Sequence, residues 1–277
     1  MGSGRCGAPQ LADRRAGTAG AFRDLRRIEH IVTEDTTNDF SRDASAIDQL
    51  KLAAANAAVT QLESGMIVGL GSGSTATLAI EAMGRRVAQE NLRIVGIPTS
   101  EKAAAHARRV GIPLSTLGEH PRIDITIDGA DEVQMGALNL IKGGGGDLLR
   151  EKIVASASER VVIAVDETKL VDRLGCSFAV PVEVEPFGWQ TTSERLKKLR
   201  GAPILRLAPD GRTFITDGGH YILDVAFAPI ESPADLDAKL NAVVGVIEHG
   251  LFIGLASQVI VGGAKGVRML FRESAKH

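Results

Sequence analysis

Met66-Ile-Val-Gly-Leu-Gly-Ser-Gly-Ser-Thr75 compresses a short apolar run, a glycine-spaced turn and the opening of a more polar segment into ten residues. The run Met66 to Leu70 has the length of a buried strand, and Gly71 to Thr75 turns it into a helix running to about Gln89. Upstream, Ile47, Leu50, Ala54, Ala57, Ala58 and Leu62 share one face of a helix that begins near Ser41 and is stopped by Gly65. Downstream the unit repeats. Arg93 to Ile97 reads as a strand, Ser100 as an N-cap, and Glu101 to Val110 as a helix ended by Gly111. Ile112 to Leu117 reads as another strand. Ile123 to Ile127 alternates apolar and polar residues up to Asp128, a helix spans Asp147 to about Ser158, and Val161 to Val165 closes the series. Strands alternating with helices imply an α/β fold: a mostly parallel, Rossmann-like sheet with helices on both faces.

Beyond Leu174 the pattern changes. Val180 to Glu185 alternates, Thr192 to Leu199 is helical, and Ile204 to Leu207 is a strand. Phe214 to Thr216 and Tyr221 to Ala228 flank Asp217-Gly-Gly, a hairpin signal, and Pro233 to Val246 is helical. This β-α-β-β-α order predicts a smaller α+β domain of ferredoxin-like type, inserted at 174–252. Leu251 to Leu255 and Val259 to Val261 then return the chain to the first sheet. Residues 41–173 and 253–277 make up the expected α/β catalytic domain. Residues 1–40, rich in Gly, Ala and Arg without a sustained apolar period, read as a disordered or non-native extension; their scattered acids argue against a transit peptide.

Composition narrows the function classes. The 277 residues, 44% of them apolar, suffice for one large or two smaller cores. Lys plus Arg number 32 against 34 Asp plus Glu, so no global field favours nucleic acid or an anionic membrane, and any anion site must be local. Ala242 to Gly263 is broken by Glu248, His249, Ser257 and Gln258 and is no membrane span. Cys6 and Cys176 stand in no metal-ligand or disulfide spacing and read as reduced thiols of a cytoplasmic protein.

The chemistry concentrates in two places. In Gly69-Leu-Gly-Ser-Gly-Ser-Thr75 the backbone enters a helix, where free N–H groups and the helix dipole favour an anion. Ser74 replaces the third glycine of a dinucleotide fingerprint, and Ser72, Gly73, Ser74 and Thr75 suit a sugar phosphate; a plain capped turn is the alternative. The second place runs from Asp128 to Lys152. Asp128 and Asp131, separated by Gly129 and Ala130, end a parallel strand where α/β sheets bind ligands; an Asx turn or a metal pair would use the same residues. Lys142 leads into four glycines, a run whose entropic cost implies a close approach to the backbone. Glu151 has Leu148, Val154 and Ala155 as helical neighbours, so burial should raise its pKa towards that of a general base, with a surface ion pair as the alternative. Asp166 and Lys169 follow the last strand, and Lys169 could bind phosphate; Lys51 is a weaker candidate. His106 and His249 read as structural.

Together these segments closely resemble ribose-5-phosphate isomerase of the A type, from about Asp48 to Gly263. Further matching blocks are Gly96-Ile-Pro-Thr-Ser100, Arg150-Glu-Lys152, Asp166-Glu-Thr-Lys169, Pro181-Val-Glu-Val-Glu-Pro-Phe187 and Thr216-Asp-Gly-Gly-His-Tyr-Ile-Leu-Asp224. The resemblance implies interconversion of D-ribose 5-phosphate and D-ribulose 5-phosphate in the non-oxidative pentose phosphate pathway, with Glu151 as general base. It implies that Asp128 and Asp131 handle sugar hydroxyls and ring opening. Lys142, Lys169, Lys51, Ser72 to Thr75, Gly129, Ala130 and Gly143, Gly144 and Gly145 would contact substrate. It implies no cofactor, no metal, no nucleic-acid or membrane partner, and a homodimer, with a tetramer as the alternative. Two departures stand out: the extension, and His220 where the family commonly has asparagine. The rival readings are a non-enzymatic sugar-phosphate sensor, which would need a DNA-binding module that residues 1–40 do not offer, and an acyl-CoA transferase with a glutamate nucleophile.

Overall fold

The structure, a computed structural model, describes residues 35–272, with side chains from residue 45 onward. Most of the expected extension, and Cys6 within it, lies outside the described residues. The chain divides into a unit ending at Ala46 and a second unit, Ile47–His277. Of the first unit only the opening turns of a helix are described: α1 spans Asp35–Val59 and so begins inside the stretch expected to lack structure.

In the second unit α1 leads to β1 (Ile67–Leu70), α2 (Ser74–Glu90), β2 (Val95–Pro98), α3 (Glu101–Arg109) and β3 (Ile123–Asp128). Two short strands, β4 (Glu132–Gln134) and β5 (Leu140–Ile141), precede α4 (Leu148–Ser156) and β6 (Ser158–Asp166). A single 3-10 turn at Glu167–Lys169 is followed by β7 (Leu170–Val171). Next come β8 (Val180–Val184), α5 (Trp189–Lys198), β9 (Ala202–Leu205), β10 (Tyr221–Ala226), α6 (Pro233–Asn241) and β11 (Val246–His249). The chain ends through β12 (Leu251–Phe252), β13 (Gln258–Gly263) and β14 (Gly266–Phe271).

The central sheet has the order β14-β13-β6-β3-β1-β2, parallel throughout except for the β13–β14 pair. From β1 the chain steps outward to β2 and then returns to β3 on the other side, so the winding reverses between β1 and β3. In open α/β sheets that reversal opens a crevice at the carboxyl ends of the two strands. Burial follows the strand period of two: Val162 and Ala164 of β6 join a core with α1, α2 and α3, whereas Val161, Ile163 and Val165 pack on the opposite face. Ser100 caps α3 as its residue type suggests, accepting a hydrogen bond from the Ala103 N–H at 3.1 Å.

A second, antiparallel sheet has the order β11-β8-β10-β9, the βαββαβ arrangement of the ferredoxin-like fold. Here the expectations need correction. Residues 214–216 form no strand, and β10 pairs with β9 instead. The Thr216 hydroxyl donates to buried Glu183 at 2.8 Å and its N–H to the His220 carbonyl at 2.9 Å, which closes a local turn in place of a ladder. The helix expected to reach Val246 stops at Asn241, and the chain re-enters the sheet as β11. Ile112 to Leu117 makes only an isolated bridge, Gly96 with Leu114. Leu251 and Phe252 do not return to the central sheet; they pair with Ile141 and Leu140 in a third small sheet, β12-β5-β4-β7. Among the described residues no helix is long and apolar enough to cross a membrane.

α1 lies so close to β13 that a methyl group at Gly262 would stand 2.0 Å from the Leu50 carbonyl oxygen. Backbone cannot retreat as a flexible side chain can. Gly262→Ala should therefore destabilise the fold by about 1–3 kcal/mol, measured as a lowered urea midpoint with an unchanged m-value.

Candidate active site

Where β1 ends, the backbone passes against the end of β3. A methyl group at Gly71 would lie 2.2 Å from Asp128 Oδ1 and 2.6 Å from its Cα. Gly73 then adopts φ +88° to admit α2, whose N-terminus has no side-chain cap and no acidic residue in its first turn. The helix-terminal amides thus remain available to an anion. Ser72 is held from the side by β2: its Oγ lies 2.7 Å from Thr99 Oγ1 and 3.0 Å from Ser100 Oγ.

Asp128 is buried. Its Oδ1 accepts the N–H groups of Ser72 at 3.1 Å and Gly129 at 2.7 Å, and its Oδ2 stands 2.9 Å from Lys142 Nζ. Lys142, just after β5, donates to the Gly129 carbonyl at 2.7 Å and lies 3.3 Å from Glu151 Oε2 on α4. One ammonium therefore serves two carboxylates, and all three side chains are almost wholly withdrawn from water. Burial works against the lysine's charge, but Asp128 and Glu151 outweigh it and hold its pKa above the usual value. The carboxylates move the other way. Burial raises Asp128 against the pull of Lys142. Burial pushes Glu151 up to about 8, opposed by Lys142 and reinforced by Asp128 and Asp147. The Lys142 contact with Glu151 is an ion pair without hydrogen-bond geometry, so Oε2 is a buried carboxylate oxygen with no hydrogen-bond donor among the described residues.

Lys142 and Glu151 border a cavity of about 110 Å³. Lys51, Ser72, Gly73, Ser74 and Thr75 line it, as do Gly129, Ala130, Asp131, Lys142, Gly143, Gly144, Gly145, Glu151 and Lys169. Lys169 reaches it because Asp166, the residue before the 3-10 turn, accepts the Thr168 N–H at 3.0 Å and sets that turn. Asp131 Oδ2 accepts the Gly144 N–H at 2.8 Å, which ties the glycine run to the end of β3. Asp128 alone among the expected residues does not line the cavity. Its oxygens hold the Ser72 loop and Lys142 beside the cavity. Among the described residues no group of three or more His, Cys, Asp or Glu side chains could hold a metal ion.

The family's sequence profile, ribose 5-phosphate isomerase A (phosphoriboisomerase A), matches residues 95–266. The chain belongs to this family. A ribose-5-phosphate isomerase A of Gloeobacter violaceus is 55% identical over 229 residues, 83% of this chain and 99% of the relative. One from Synechococcus sp. is 50% identical over 226 residues, 82% of this chain and 98% of the relative. Among solved structures, the isomerase A of Methanocaldococcus jannaschii superposes with a TM-score of 0.79 at 42% identity, covering 81% of this chain and 99% of its own. A D-ribose-5-phosphate isomerase in complex with phospho-erythronic acid also reaches 0.79, at 39% identity, covering 82% of this chain and 99% of its own.

Asp147 was missed by sequence reasoning. It sits at the N-terminal end of α4, where burial and the proximity of Asp217 raise its pKa against the influence of Lys102. Its place directly after the glycine run was the available signal. The two histidines read as structural are placed accordingly: His106 faces Glu81 at 3.5 Å, and His249 is fully buried, with a pKa lowered by burial to about 3.

A carboxyl group whose pKa is higher folded than unfolded binds its proton more tightly in the native state, so it removes stability as pH rises between the two values. For Glu151 that window runs from 4.5 to about 8. Urea titrations across it should show Glu151→Gln gaining stability relative to the parent protein as pH increases; a pH-independent difference would contradict the raised pKa.

Proposed function

We propose that the chain catalyses reversible aldose–ketose isomerisation of D-ribose 5-phosphate and D-ribulose 5-phosphate through an enediolate. The observation that carries this reading is Glu151, a buried carboxylate that lines the same cavity as an uncapped helix N-terminus and accepts no hydrogen bond at Oε2 from the described residues. A carboxylate drawn out of water serves a carbon acid well, because a C–H is too poor a hydrogen-bond donor to displace bound water from the base. A pKa pushed up to about 8 matches the base to neutral solution.

In this reading Glu151 removes the proton from C2 of the open-chain aldose and returns it to C1. The electron pair of the C–H bond becomes the enediol double bond, and the former carbonyl oxygen takes the negative charge; the C2 hydroxyl proton then passes to that oxygen, so that protonation of C1 leaves the carbonyl at C2. Lys142 and the Gly145 amide stabilise that oxygen, an electrostatic contribution that exceeds proton transfer alone, while the Gly144 amide is held by Asp131. Ser72 to Thr75 at the head of α2, with Lys169 and Lys51, hold the phosphate. That remote binding converts to orientation at the reacting carbons. Asp131 faces the sugar hydroxyls, while Asp128 keeps Lys142 charged and in place.

The same proposal includes an α/β catalytic domain at 41–173 and 253–277 with a small α+β domain at 174–252, a homodimer and a cytoplasmic location. The topology supports the domain division: β8 to β11 pair only with one another.

Purified protein mixed with ribose 5-phosphate in metal-free buffer should form the ketose; a folded sample without turnover would leave the sensor reading in its place. Glu151→Gln should lower kcat by about 10²–10⁴-fold while sugar-phosphate binding, followed by calorimetry, stays nearly intact. For Lys169→Ala the expected change is a raised KM with kcat little affected, and an unchanged KM would remove Lys169 from the phosphate grip.

A further inference from the structure

Amides that stabilise an enediolate must point at it, yet a run of four glycines has no side chains with which to hold its peptide planes. Glycine populates both signs of φ readily; the run's own bond from the Gly146 N–H to the Gly143 carbonyl at 3.0 Å closes one turn, and the Gly144–Gly145 peptide still needs a hold from outside the run. Arg206, 62 and 63 residues away from the two carbonyls it meets, occupies that position. It follows β9, and its own backbone is fixed by two bonds: its N–H donates to the Ile222 carbonyl at 2.9 Å, and it accepts the Phe214 N–H at 3.0 Å. Nε donates to Asp224 Oδ2 at 2.9 Å and Nη2 donates to Oδ1, a two-pronged pair that sets the plane of the guanidinium. The remaining Nη1 donates to the carbonyls of Gly143 at 3.0 Å and Gly144 at 3.1 Å.

We infer that Arg206 is a positioning residue for the isomerisation, aiming the amides of the glycine run by holding the carbonyls of the same peptide units. This inference rests on the isomerase reading. A trans peptide is planar, with its N–H and C=O pointing in opposite directions. Drawing the Gly143 carbonyl to Arg206 turns the Gly144 N–H away from it, and that N–H is found on Asp131 at 2.8 Å. Drawing the Gly144 carbonyl to the same nitrogen turns the Gly145 N–H away likewise. Two negative carbonyl ends are thereby kept off an anionic intermediate, and the Gly145 amide is left for it. Phe214 completes the bracket. Its ring lies 5.8 Å from the guanidinium carbon and covers Gly146, where an added methyl group would stand 2.4 Å from Phe214 Cζ. The antiparallel sheet, which supplies no residue to the cavity lining, thus acts on the chemistry through two peptide planes.

The test compares Arg206→Met, Arg206→Lys and Asp224→Asn with the parent protein. Four quantities are read: kcat, KM for ribose 5-phosphate, inhibition by phospho-erythronic acid, and binding of inorganic phosphate. The carboxylate of the acid stands in for the enediolate oxygens, whereas inorganic phosphate samples only the phosphate grip. Arg206→Met should lower kcat by about 10–100-fold, the loss expected when reacting groups are misplaced by about 1 Å. The acid should weaken in step with kcat, while KM and phosphate affinity stay within about threefold. Arg206→Lys keeps the charge but lacks the fork, so it should fall between Arg206→Met and the parent. If Arg206→Met does not fold, Arg206→Lys and Asp224→Asn carry the test with smaller losses in the same direction. Undiminished kcat in any folded Arg206 variant, or equal losses for the acid and for phosphate, would overturn the inference. An inactive parent protein would instead defeat the isomerase reading itself, so the two failures are distinguishable.

Discussion

A single ammonium group, Lys142 Nζ, stands 2.9 Å from Asp128 and 3.3 Å from Glu151 and donates to the Gly129 carbonyl at 2.7 Å. Removing three charges from water is costly, by several kcal/mol per ion, unless each has a partner at close range. Lys142 supplies that partner to both acids at once. It therefore ties together the end of β3, the end of β5 and the first turns of α4. The same burial pushes the Glu151 pKa up to about 8, with Lys142 opposing the rise and Asp128 and Asp147 adding to it. Stability of the cluster and reactivity of the base arise from one geometry.

The position of Lys142 depends on chain far away in sequence. Its N–H donates to the Gly250 carbonyl at 2.9 Å, and β5 pairs with β12, which the chain reaches only after completing the antiparallel sheet. A methyl group at Gly250 would stand 2.2 Å from the Lys142 carbonyl oxygen, so the approach is close as well as paired. Phe252 of β12 lies beneath two cations, its ring centroid 5.5 Å from Lys142 Nζ and 5.1 Å from Lys152 Nζ. Lys152 in turn donates to Glu248 at 2.6 Å and to the His249 carbonyl at 2.7 Å. Helix α4, which carries the base, is thereby fastened to β11 through the residue next to Glu151. The antiparallel sheet contributes support to the site through Arg206 and Glu248, and β12 through its pairing with β5, with no cavity-lining side chain from that sheet.

Much of this was legible in the sequence where the signal is local. The strand, turn and helix at 67–90 are spelled out by an apolar run, glycines and a helical period, and Ser100 announces its cap. Glu151's burial follows from its three apolar helical neighbours. Legibility failed where pairing is non-local. Leu251 and Phe252 carry the apolar signature of a central strand, yet two residues of β12 choose β5 because Gly250 brings the backbones together. Asp217-Gly-Gly looks like a hairpin turn, but buried Glu183 captures the Thr216 hydroxyl and the His220 ring, so the ladder forms elsewhere.

The sequence by itself determined the alternation of strand and helix, and with it a mostly parallel sheet with a ligand crevice at the carboxyl ends of its strands. It also determined which residue types reach that crevice, since the glycines, acids and lysines all lie at strand ends or in the segments that follow them. Only the tertiary structure decided which carboxylate faces the cavity and which stands behind it, and that Arg206 holds the glycine run. Periodicity reports the face of an element on which a residue lies. It carries no information about which distant partner will satisfy a buried charge or a peptide carbonyl, because that choice is made by packing after the elements have formed.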